Sequence, residues 1–283
     1  MSRLPTPLPA FVINVEQETA RLASTQAAFA AYRQFVLERV PGVVLPSLPG
    51  AALIRLVGRP ETAMGRLGCF LGHVGAWERI AAFGTGWGLV VEDDIQLFDP
   101  ERLFDLDLPA DAELIWVNGR MIPPRHTSTG ESLSVYPARQ LAALRIAWPP
   151  KLRGQGADGY LLSSAGARKI LTQVASHGFP GHVDSALWRM TIPFDAMEEA
   201  LAGVTAELPR GKDPRRFPRH WWGVVSGYYL SSPVVGLNRT HSRMSVRRRL
   251  DTKPEAATPV GMHPSLAPEP RGPEAFPPSR NAP

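Results

Sequence analysis

The chain has 283 residues, 44% of them hydrophobic, and a formal charge of +5. That length buries a full core in one large or two small domains, and no apolar run approaches the roughly 20 residues that span a bilayer. Residues 1–10 carry three prolines and lack the charged-then-apolar layout of a signal peptide, so a cytoplasmic location is expected. The single cysteine, Cys69, excludes an internal disulfide and a zinc cluster built from cysteines.

After a proline-rich leader over residues 1–9, the run Ala10 to Val15 reads as a first strand. Leu22, Phe29, Tyr32, Val36 and Val40 recur at near-helical spacing, which predicts a helix from Thr19 to about Arg39 with Pro41-Gly42 as its stop. Val43 to Leu45 would then be the second strand of a βαβ unit. No Gly-rich dinucleotide fingerprint follows the first strand, which argues against an NAD-type site.

Thr62 to Phe83 is the next expected helix, with Leu67, Phe70, Leu71, Val74, Trp77 and Ile80 on its apolar face. It also carries Gly65, Gly68, Gly72 and Gly75, each costing about 0.5–1 kcal/mol relative to alanine inside a helix. Either tight packing or a ligand lying close to the backbone requires that space. His73 and Trp77 sit one turn apart on this helix; His73 reads either as a hydrogen-bonded structural residue or as a site residue.

The stretch Trp87 to Asp94 is an apolar strand run that stops on three consecutive carboxylates, Glu92, Asp93 and Asp94. The lack of alternation in Leu89, Val90 and Val91 fits a strand buried on both faces, and ligands in open α/β sheets bind beyond the carboxyl ends of such strands. Two readings stand: a solvated acidic turn, or oxygen ligands for Mg²⁺ or Mn²⁺.

Glu113 to Val117 is a further strand leading into Asn118-Gly119-Arg120, and residues 123–155 read as loops and short strands. Gly156 to Leu162 is a turn entering a strand. Ser163 or Ser164 caps a helix that ends at His177-Gly178, and a short helical piece runs through Leu187 and Met190. Trp221 to Val225 is a late strand candidate. Basic residues concentrate over 210–220 and in Arg243, Arg247, Arg248 and Arg249, where they attract phosphates or form a solvated face. Residues 251–283 are a proline-rich tail expected to be disordered.

Three stretches together resemble the family 25 glycosyltransferases, a group that includes bacterial lipopolysaccharide sugar transferases and the collagen galactosyltransferases. Gly68-Cys69-Phe70-Leu71-Gly72-His73-Val74-Gly75-Ala76-Trp77 is similar to the family's Gly-Cys-x-x-Ser-His-x-x-x-Trp helix. Val91-Glu92-Asp93-Asp94 resembles its Leu-Glu-Asp-Asp, and Gly156 to Lys169 resembles its Gly-x-x-Gly-Tyr-x-x-Ser-x-x-Gly-Ala block. Weaker matches are Ile13-Asn14-Val15 with Arg21, then Val183-Asp184, then Pro233 to Ser242. Two positions depart: Gly72 replaces the usual serine, and Asp158 a usual small residue.

The resemblance implies an α/β fold of GT-A type, Rossmann-like, with a mixed central sheet flanked by helices, over residues 10–250. It implies inverting transfer of a hexose from a nucleotide diphosphate sugar, UDP-sugar foremost, to a glycan or glycolipid acceptor, with Mn²⁺ or Mg²⁺ as cofactor. On that reading Asp94 is the first metal ligand and Glu92 the second contact, to ion or ribose. Asp93, also a donor-binding candidate, points the other way if strand alternation persists. Asp184 is the expected base or a helix cap, and Arg21, His73 and Tyr160 are donor-pocket or structural residues. Peripheral attachment to the inner membrane surface through the basic C-terminal region fits this activity; nucleic acid is not an expected partner. The competing reading is an inactive transferase-like binding module, or a basic membrane- or nucleic-acid-surface binder.

Overall fold

Apolar strands that cannot satisfy their backbone alone must pair, and in this chain they pair around one parallel trio. The computed structural model describes residues 3–44, 60–84, 86–122, 132–142, 156–202 and 217–238. All lie within a single unit, Met1–Ser242. The expected tail and the Arg243–Arg249 cluster lie outside the described residues, as does most of the 123–155 segment.

Strand β1 (Leu8–Asn14) pairs in parallel with β2 (Phe35–Pro41) on one side and β3 (Trp87–Glu92) on the other. β7 (Gly159–Ser163) runs antiparallel between β3 and β5 (Leu114–Trp116). β8 (Gly227–Leu230) follows in parallel to β5, and β6 (Val135–Pro137) closes the edge antiparallel to β8. The result is a seven-stranded mixed sheet of order β2-β1-β3-β7-β5-β8-β6, beside a two-stranded sheet of β4 (Ile95–Leu97) and β9 (Val235–Leu237). Among the described residues the α-helices are α1 (Thr19–Ala30), α2 (Pro60–Ala81), α3 (Ser164–His177), α4 (Val183–Thr191) and α5 (Phe194–Ala202). This is the expected α/β architecture with a mixed central sheet flanked by helices.

Three expectations about local structure need correction. Val43 and Val44, expected in the second strand, lie beyond it in no regular element. The helix from Thr19 ends at Ala30, and Phe35–Pro41, taken as its continuation, is β2. Residues 36 and 40 fit a helical period, but seven backbone pairings with β1 outweigh that local pattern. Trp221 belongs to a short 3-10 turn rather than a strand, and the late strand begins at Gly227.

Three of the four glycines of α2 serve close packing; Gly65 meets nothing within 4 Å. A Cβ on Gly68 would collide with the carbonyl of Val43, one on Gly72 would come within 2.7 Å of Ile13 in β1, and one on Gly75 within 3.3 Å of Val40 in β2. Spaced at three and four residues, they let one face of the helix lie directly on the sheet. Gly84, with φ of 71°, follows the helix in a conformation that glycine adopts without strain. Ser163 caps α3 by accepting the Gly166 N–H at 3.0 Å.

Candidate functional site

Because β1, β3 and β5 are parallel and β7 is antiparallel, one edge of the sheet collects the carboxyl ends of three strands and the start of a fourth. Asn14, the Glu92-Asp93-Asp94 triplet, Asn118 to Arg120 and Asp158 therefore meet there. The three adjacent carboxylates have different surroundings. Asp93 is held by structure: its Oδ2 accepts Asn14 Nδ2–H at 2.7 Å, and its Oδ1 lies 2.6 Å from Arg21 Nη2. Its carbonyl takes the Thr25 hydroxyl at 3.0 Å, which ties the strand end to α1.

Asp94 shares that guanidinium, with Oδ2 3.1 Å from Arg21 Nη2, so Asp93 does not point away from it as expected: beyond the end of β3 strand alternation no longer holds, and both carboxylates meet one cation. Asp94 Oδ1 is buried without a hydrogen-bond partner. Burial and the neighbouring Glu92 push the Asp94 carboxyl up to about 6, outweighing the pull of Arg21. Burial raises Asp93 as well, with Arg21 and Asn14 opposing. Glu92 differs again. Its side chain keeps 25% of its surface open, and although burial raises its pKa, His73, Arg120 and Arg21 together hold it below the usual carboxylate range.

Helix α2 brings Cys69, His73 and Trp77 to the same edge, one turn apart. Trp77 Nε1–H donates to the Tyr160 hydroxyl at 2.7 Å, and that hydroxyl meets His73 Nδ1 at 2.9 Å. All three rings are fully buried. The far nitrogen of the imidazole, Nε2, faces Glu92 Oε1 at 3.7 Å and has no hydrogen-bond partner. Cys69 Sγ stands 3.9 Å from the same oxygen.

Asp184 lies in the first turn of α4, where His182 occupies the cap position. It does not cap the helix; its Oδ1 accepts the Ala157 N–H at 3.3 Å and lies 3.5 Å from His182 Nδ1. Burial, then Glu92, raises its pKa, with His182, Arg120 and His73 opposing. Asp158 is buried and paired with Arg120 through two hydrogen bonds, so the charge that departs from the family pattern arrives with its own counter-ion.

All seven residues singled out from sequence therefore share one locale: Arg21 with Asp93 and Asp94, His73 and Tyr160 with Glu92, and Asp184 in electrostatic contact with Glu92. Arg120 and Asn14 were not singled out. Arg120 follows the apolar run of β5 as Glu92 follows that of β3, and a cation at one strand end beside a carboxylate at another is a signal of the same kind. Asn118 is buried and holds the edge together, donating to the carbonyls of Gly156 and Gly159 at 2.9 and 3.0 Å. The segment leading into β9 crosses this edge. Val235 packs on Gly159, and Asn238 N–H donates to the Asp94 carbonyl at 2.7 Å.

No curated protein matches the chain. Among solved structures it is similar to an active-site mutant of LgtC, at 13% identity over 88% of this chain and 98% of that one, with a TM-score of 0.37. It is also similar to the galactosyltransferase LgtC in complex with donor and acceptor sugar analogs, at 14% identity over 81% and 86% of the two chains, with a TM-score of 0.35. The family model for glycosyltransferase family 25 (LPS biosynthesis protein) matches residues 8–187, a span that holds every strand-end residue and helix motif described above. By that match the chain belongs to glycosyltransferase family 25 and is a glycosyltransferase.

Proposed function

We propose that this glycosyltransferase, of GT-A type, moves a hexose with inversion from a nucleotide diphosphate sugar, UDP-sugar foremost, to a glycan or glycolipid acceptor. The observation that carries the reading is Asp94 Oδ1: a buried carboxylate oxygen with no donor, at the end of a central strand. Keeping such an atom unpaired is costly, and a divalent cation is the partner that its chemistry suits. Asp94, with the partly open Glu92 beside it, would hold Mn²⁺ or Mg²⁺, both hard cations that take oxygen ligands. Such an ion, when bound, neutralises charge on the diphosphate leaving group.

The chain's own residues supply the rest. Arg21 fixes Asp94 and Asp93 in place and offsets their charge. The Trp77–Tyr160–His73 chain of contacts presents the imidazole to Glu92. Asp184 takes the proton from the acceptor hydroxyl; a raised pKa strengthens it as a base above that pKa. A lipid-linked acceptor would bring the enzyme to the cytoplasmic membrane surface, where a basic segment favours anionic lipid.

The test is release of nucleoside diphosphate from a panel of nucleotide sugars, with and without Mn²⁺. Turnover is expected to need the ion and to fall at least about 100-fold in Asp94→Asn, the scale on which lost transition-state charge stabilisation reads out. Full activity in excess chelator, or in that variant, overturns the metal assignment.

A further inference from the structure

Cys69, His73 and Glu92 place one thiol sulfur, one imidazole nitrogen and one carboxylate oxygen within 4.8 Å of one another. We infer that they form a second cation site, of a softer kind than the Asp94 pair, that takes Zn²⁺ and shares Glu92 with the proposed donor site. A single cysteine rules out a cluster of several thiolates, but a mixed site needs only one.

The geometry favours this set. Cys69 and His73 are four residues apart, so α2 alone fixes two ligands on one face. Glu92 Oε1 lies 3.9 Å from the sulfur and 3.7 Å from His73 Nε2. Zn–S and Zn–N bonds of about 2.3 and 2.0 Å at a tetrahedral angle place such ligands on the order of 3.5 Å apart, so small side-chain movements close the set. His73 Nε2 is buried and unpartnered, turned toward that oxygen. Its other ring nitrogen meets Tyr160, and a ligating histidine donates that N–H to a fixed acceptor. The phenol oxygen has two lone pairs for the Trp77 and His73 N–H groups. Glu92 is partly open and Cys69 is not fully buried, which leaves a path for the ion and a fourth position for water.

Thiolate and imidazole together select Zn²⁺ over Mg²⁺ or Mn²⁺. Occupancy would draw Glu92 away from the donor's cation, so zinc should inhibit transfer. That last consequence rests on the function proposed above; binding does not.

Titrating Co²⁺ into the full-length chain tests binding without any activity assay. One equivalent should give intense tetrahedral d–d bands and a thiolate-to-cobalt charge-transfer band, and Zn²⁺ should bleach both. Cys69→Ser should lose the charge-transfer band. A spectrum without charge transfer, or one unchanged in Cys69→Ser, overturns the site. If Cys69→Ser fails to fold, alkylation of the wild-type thiol decides: Zn²⁺ should slow it at least tenfold, and equal rates with and without zinc overturn the proposal. Zinc binding without inhibition of transfer keeps the site and removes only its link to the donor pocket.

Discussion

A buried carboxylate oxygen left without a donor costs stability, and Asp94 bears that cost at the end of β3. Its pKa stands at about 6 in the folded chain against about 3.9 when unfolded, so the folded state holds the proton more tightly. The favourable contribution of the protonated form is fully present below about pH 4 and is lost as pH rises through about 6. That difference corresponds to a penalty of at most about 3 kcal/mol at pH 8. Asp94→Asn should therefore raise the urea midpoint at pH 8 and leave it nearly unchanged at pH 3.5, while transfer is lost. Equal midpoints at pH 8 would show that the carboxylate is not strained. Arg21→Met should do the reverse. It leaves two buried carboxylates without their cation, costs about 3 kcal/mol at pH 8, and costs less in acid, where both are protonated.

Helix α2 is the element in which sequence and packing disagree most openly, since its own preferences argue against so many glycines. The sheet beneath it decides which of them matter. Gly68→Ala drives a methyl into the Val43 carbonyl and should destabilise the protein by about 2 kcal/mol or more, the scale of core overpacking. Gly65→Ala meets nothing within 4 Å and should stabilise by about 0.5–1 kcal/mol. Urea unfolding of the two variants checks both signs. The acidic strand end and the α2 motif were legible because each lies within one stretch of chain. β2 was not, because its strand character comes from pairing with β1 rather than from its own apolar spacing. Arg120 and Asn14 escaped notice for the same reason: each takes its role from a carboxylate far away in sequence.

Across the molecule, the site is held by ion pairs that cross between strands. Arg120 follows β5 and Asp158 precedes β7, and their pairing joins the two ends where the donor is proposed to lie. Removing either partner strands a largely buried charge, so Arg120→Met and Asp158→Asn should each cost about 3 kcal/mol, and the double variant much less than their sum. Additive losses in urea unfolding would show that the pair is not coupled. The segment around β9 lies over this same edge, with Val235 seated on Gly159 and Asn238 bonded to the Asp94 carbonyl. The acidic triplet leaves the ribosome long before either of those residues is made. A nascent chain thus carries these carboxylates unfinished until β9 is made, and a truncated product ending before Val235 would keep the acidic triplet but lack the segment that packs on Gly159 and bonds the Asp94 carbonyl.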